Sequence, residues 1–120
     1  MKRALLIAVL LAVRAMASDV TGTWSGTFKV SGADHSVPQI ITLKQEGNRL
    51  TGSAGPDGEE QYPIENGKVD GQRVTFELTT GDWRFSYDLK RSGQDEMKGN
   101  LDLTSVNNRR TAAVSLSKTK

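Results

Sequence analysis

The sequence predicts an all-β fold, a single antiparallel meander closed into a small barrel. Three observations carry this. Apolar residues alternate with polar ones at period two almost from end to end. Short turn signals built on glycine separate the alternating runs. An open meander of about eight strands would also expose two unpaired edges, which closure removes.

The runs follow in order. Trp24, Gly26, Phe28 and Val30 share one face, and Thr23, Ser25, Thr27 and Lys29 the other. Gln39, Ile41 and Leu43 oppose Thr42 and Lys44. Leu50, Gly52 and Ala54 alternate with Arg49, Thr51 and Ser53. A less regular stretch from Tyr62 to Val69 carries Ile64 and Val69. Val74, Phe76 and Leu78 then alternate with Arg73, Thr75 and Glu77. The cleanest run sets Trp83, Phe85, Tyr87 and Leu89 against Arg84, Ser86, Asp88 and Lys90. Met97, Gly99, Leu101 and Leu103 follow, and Ala112, Val114 and Leu116 close the series. Turns fall at Glu46-Gly47-Asn48, Asp70-Gly71-Gln72, Thr80-Gly81-Asp82 and Ser92-Gly93-Gln94, where glycine or asparagine supplies positive φ. A weak internal repeat rides on them: Gly47 to Gly52 is similar to Gly71 to Phe76 and to Gly93 to Gly99. Longer loops are expected at Ser31–Pro38, Gly55–Gln61 and Thr104–Arg110.

The first seventeen residues read differently. Met1-Lys2-Arg3 is a short positive segment, and Ala4 to Val13 is apolar but too short to span a bilayer. Arg14 and Ala15-Met16-Ala17 supply a small-x-small cleavage site before Ser18. This is the pattern of a secretory signal peptide over 1–17, with the barrel over 18–120 and a secreted or periplasmic location. The chain has 16 Lys and Arg against 14 Asp and Glu. Losing Lys2, Arg3 and Arg14 leaves 13 basic groups, so the exported domain is close to neutral. Interleaved signs without a basic surface argue against nucleic acid. No second long apolar stretch is present, so no membrane span is expected. Cysteine is absent, so packing and sheet closure must hold the domain together.

Val20-Thr21-Gly22-Thr23-Trp24 opens the first strand. The Gly-x-Trp resembles the start of lipocalins, and Thr-Gly-Thr-Trp resembles avidin-type proteins. Gly22-Thr23-Trp24, Leu43 to Gly52 and Ile64 to Gly71 together resemble small secreted bacterial calycin-like domains of unassigned function. The resemblance implies a closed antiparallel barrel with Trp24 at its closed end. It also implies an arginine over that ring, Arg109 or Arg110.

Chemistry-bearing clusters are thin. His35 is the only histidine and lies in a polar loop with Asp34 and Ser36, so nucleophilic triads and multi-histidine metal sites lack material. Asp57, Glu59 and Glu60 crowd a loop after Gly55-Pro56; their spacing fits a solvated turn better than a calcium loop. No catalytic residue, metal site or cofactor is expected. Arg109-Arg110, Lys118 and Lys120 form a basic end that discourages edge pairing.

The inward aromatics carry more information. Trp24, Phe28, Phe76, Trp83, Phe85 and Tyr87 project into one barrel, with Gly26, Gly52, Ala54, Gly99 and Ala112 beside them. An eight-stranded barrel stands between filled and ligand-holding. A buried Tyr87 hydroxyl needs a partner, with Gln39, Gln45 and Asn66 as candidates. The expected function is non-enzymatic binding of a small, largely apolar ligand at Trp83, Phe85 and Tyr87, with space left at Gly52 and Gly99. The competing expectation is a barrel that binds a secreted or envelope protein, as protease inhibitors do, through the Ser18–Thr21 arm and the Ser31–Pro38 loop.

Overall fold

The computed structural model describes residues 19–119. The expected signal peptide, its cleavage site, Ser18 and Lys120 lie outside the described residues. Nine strands run through the described chain: β1 (Gly22–Val30), β2 (Val37–Glu46), β3 (Arg49–Gly55), β4 (Tyr62–Pro63), β5 (Glu65–Asp70), β6 (Arg73–Thr80), β7 (Trp83–Arg91), β8 (Glu96–Thr104) and β9 (Arg109–Lys118). Strands next in sequence pair antiparallel except β4 and β5, which both pair with β3, and β1 pairs with β9. The result is a closed up-and-down barrel. β4 and β5 together make one interrupted stave against β3, so the barrel has eight staves.

The interruption has a local cause. Asn66 sits at φ 53°, and the β5–β6 register slips between Glu65 and Lys68. One extra residue on a strand bends it and breaks the ladder. Period-two alternation also fails there, which is why the sequence looks irregular from Tyr62 to Val69.

Three hairpins share one turn. Glu46 pairs with Arg49, Asp70 with Arg73 and Thr80 with Trp83, leaving Gly47-Asn48, Gly71-Gln72 and Gly81-Asp82 as two-residue loops. The first loop residue has φ of 64°, 64° and 59° respectively, and the second is not left-handed. That is the type II′ arrangement, which needs glycine first and whose twist matches paired strands.

The faces follow the alternation. Trp24, Ile41, Leu43, Val74, Phe76, Leu89, Met97, Leu101 and Leu116 are almost fully buried inside the barrel. The outer face is polar, with Arg73–Asp88 and Arg84–Glu77 bridged across β6 and β7 at 2.7 Å, and Arg109–Asp102 at 3.2 Å. Apolar-in and polar-out is the reverse of a lipid-facing barrel. No helix among the described residues is long and apolar enough to cross a membrane.

The two ends differ. The Gly47-Asn48 and Gly71-Gln72 turns and both described termini gather at the closed end. There Val20 is fully buried, its carbonyl accepts from Trp24 Nε1 at 2.9 Å, and its N–H donates to Gln45 Oε1 at 3.0 Å. Lys118 Nζ stands 5.9 Å from the Trp24 ring centroid, and Thr119 N–H donates to the Thr23 carbonyl at 2.7 Å. Arg109 and Arg110 start β9 at the opposite end and are exposed, so neither covers Trp24. The buried arginine at the Trp24 end is Arg91, 7% exposed, which donates to the Gln94 carbonyl at 3.2 Å. It ends the inward face of β7, one step beyond Leu89 in the alternation.

Candidate functional site

The open end carries the 31–36, 56–61 and 105–108 loops and the Gly81-Asp82 turn. A cavity of about 210 Å³ opens between them. Its walls are apolar: Phe28 from β1, Val37 from β2, Ala54 from β3, Leu78 from β6 and Phe85 from β7. Strand alternation aims these side chains at one point, because each lies on the inward face near its strand's open end. Phe28 and Phe85 meet edge to face, 6.5 Å between centroids at 78°.

The floor is polar but satisfied. Tyr87 Oη donates to Gln39 Oε1 at 2.6 Å, with both residues buried. Gln39 Nε2 donates to the Pro38 carbonyl at 3.1 Å. Beneath them Phe76 stacks on the Tyr87 ring, 4.6 Å between centroids. Burial pushes the Tyr87 hydroxyl far above its ordinary range, so it stays a neutral donor.

The rim is held by an ordered loop. Asp57 Oδ1 accepts from the Glu59 and Glu60 N–H groups at 2.9 and 2.7 Å, and these bonds hold its carboxyl below the usual range. Gln61 Nε2 donates to the Asp57 and Ile40 carbonyls, while Gln61 Oε1 accepts from Ser53 Oγ at 2.6 Å. The loop packs so closely that a Cβ on Gly55 would run into the Glu60 carbonyl oxygen. Glu60 is thereby set at the cavity edge, where its Oε2 accepts from Tyr62 Oη at 2.6 Å. That bond raises the Tyr62 phenol above its ordinary range.

Of the sequence-derived site residues, Phe85 and Tyr87 line this cavity. Trp83 packs half-buried against the core's edge and is not a lining residue. Gly52 and Gly99 are elsewhere and open no space. A Cβ on Gly52 would collide with the Thr42 carbonyl oxygen, and one on Gly99 with that of Asp88. Gly26 and Gly67 meet Ser115 and Leu50 in the same way. These four glycines let a sharply coiled strand fold onto its neighbour's backbone, and a small barrel needs such points to close. Of the described residues of the expected N-terminal arm, Val20 is fully buried and belongs to the fold, while Asp19 and Thr21 are exposed.

Sequence reasoning missed Val37, Leu78, Glu60 and Tyr62 as neighbours in one site. Leu78 reads as core, and no alternation reaches into the 56–61 loop. Glu60 had a signal in the Asp57-to-Glu60 cluster, but an Asp followed two residues later by its own turn also reads as a solvated loop. No group of acidic or histidine side chains with metal-holding geometry occurs among the described residues. No family model, curated protein or solved structure matches this chain.

Proposed function

We propose that the protein is a non-enzymatic carrier, a secreted or periplasmic barrel of the calycin kind, that takes a small and largely apolar ligand at its open end. The observation that supports this is the cavity itself. Native interiors close to high density, and in the closed half Val20, Trp24, Leu43, Met97 and Leu116 are all buried to within a few per cent. The open half leaves apolar surface from five strands uncovered around Tyr87 and Gln39. An engineered cavity of about 150 Å³ holds one benzene, so 210 Å³ suits a ligand of roughly eight to ten non-hydrogen atoms. At about 0.5 kcal/mol per atom, affinity falls near a millimolar, and tighter for a good fit.

Catalysis has little support at this site. Its phenols are both shifted away from ionisation, and the one carboxylate in its lining, Glu60, is bonded to a phenol with no second carboxylate or histidine lining the cavity beside it.

The test is an NMR titration with 2-phenylethanol, following the Ala54 and Leu78 methyl groups. Both methyls should shift saturably, and Ala54→Leu should abolish the response by filling the cavity. Methyls that stay still at about 10 mM ligand, well above the expected dissociation constant, would sink the carrier reading and favour a protein partner at the same loops.

A further inference from the structure

We propose that the ligand is a small amine, held with its apolar body in the cavity and its protonated nitrogen at Glu60. This rests on the carrier reading and adds the charge and orientation of the ligand.

Three observations carry it. First, Glu60 is the only charged residue among those that line the cavity. Its position is fixed: its N–H donates to Asp57 Oδ1, its Oε2 accepts from Tyr62 Oη, and the neighbouring Gln61 ties the loop to β2 and β3. Second, that carboxylate is uncommitted. Only Oε2 is engaged, by a neutral phenol, and none of the ion pairs among the described residues includes Glu60. No arginine lines the cavity: at the same end Arg84 binds Glu77 at 2.7 Å, Arg109 binds Asp102 at 3.2 Å, and Arg110 is exposed away from the lining. Third, the floor offers a polar ligand little. Tyr87 and Gln39 satisfy each other, and breaking that buried pair to admit a charged head would leave a polar group unmatched. An amphiphile therefore enters with its apolar end first, and its head stops level with the rim.

A cation belongs there on chemical grounds. A carboxylate accepts hydrogen bonds only, and an ammonium donates three. A ligand carboxylate at the same height would face Glu60 with like charge. The rim is wet, so the ion pair is of the exposed kind and selects by a few-fold rather than by orders of magnitude. Shape and apolar burial supply most of the affinity, and Glu60 supplies the choice of head group.

Three ligands of one ring and near-equal size separate the possibilities: 2-phenylethylamine, 2-phenylethanol and 3-phenylpropanoate. Their affinities for the purified protein are measured by calorimetry at pH 7 in low salt and again in about 0.5 M salt. The amine should bind about three-fold tighter than the alcohol and the carboxylate most weakly. The amine-to-alcohol ratio should shrink in high salt. In Glu60→Gln the ratio should fall to about one, with thermal unfolding checked to show that the variant is folded. An alcohol that binds as well as the amine overturns the amine proposal while the carrier reading stands. Tightest binding by the carboxylate overturns it too, as does an amine preference that persists in Glu60→Gln. If none of the three binds, the carrier reading falls and the amine proposal with it.

Discussion

Trp24 is the residue on which the closed end depends. Its ring is fully buried and its indole N–H is bound to the carbonyl of Val20, itself fully buried. Trp24→Ala removes the ring and leaves both a void and an unmatched carbonyl, which should cost about 3–5 kcal/mol. Arg84 is a useful contrast. It is outward and half-exposed, and its ion pair with Glu77 is at the surface, so Arg84→Ala should cost under about 1 kcal/mol. Urea midpoints check both, and equal midpoints would mean that the inward and outward faces are misassigned. Tyr87 shows the same logic at the open end. A buried phenol needs a partner, and of Gln39, Gln45 and Asn66 the fold selects Gln39. Gln45 is occupied by Val20, and Asn66 donates to Glu77 at 2.9 Å.

At the scale of the strand, glycines decide the curvature. Gly52 in β3 has φ 141° and its α-hydrogen side faces the Thr42 carbonyl oxygen of β2. Gly52→Ala places a methyl in that contact and forces a conformation that residues with a Cβ rarely adopt. The loss should be about 1–3 kcal/mol, by strain and overpacking. Gly58→Ala is the control, because nothing lies within 4 Å of a Cβ at that loop position; it should stay within about 0.5 kcal/mol of the wild type. Equal thermal midpoints for the two would show that the β2–β3 approach is not a closure point. The close backbone contact also decides what a large residue at Gly52 or Gly99 does: it breaks the barrel wall rather than filling a ligand space.

For the whole molecule, the outer belt of charges sets the response to acid. Hydrogen bonds from Asn66 and Arg84 hold the Glu77 carboxyl below its ordinary 4.5, and Arg73 does the same for Asp88 below 3.8. A depressed carboxylate binds fewer protons in the folded chain than in the unfolded one. Its contribution is therefore complete above the unfolded value and is lost as pH falls through the folded value. The thermal midpoint should hold from neutrality to about pH 5 and decline below pH 4.5. Both carboxylates face solvent in part, Glu77 at 30% and Asp88 at 51% exposure, so the decline is modest. The double variant Glu77→Gln, Asp88→Asn should start lower and decline less over the same acid range. Parallel acid limbs in the two proteins would show that other carboxylates govern the response.

Strand identity, the inward face and the hairpin turns were all legible in the sequence of residues 19–119. Each is a local property: period-two alternation sorts a strand's two faces, and a two-residue loop needs a glycine wherever it needs positive φ. Closure was legible too, because an eight-strand meander without it has two bare edges. The site was legible only in part. Phe85 and Tyr87 sit on the cleanest alternating run, and both line the cavity. Alternation says which face a residue takes but not how near the facing backbone comes. Gly52 and Gly99 thus looked like space when they are contact. It also says nothing of which end is plugged. That was decided in three dimensions by Val20 folding under Trp24, and it left Arg91, not Arg109 or Arg110, as the buried arginine at that end. Glu60 reached the cavity through hydrogen bonds that join a loop to β2 and β3, contacts made across the fold rather than along the chain. Periodicity determined the wall of this barrel; the packing of its two ends against distant strands decided where the wall encloses a cavity and what charge stands at its mouth.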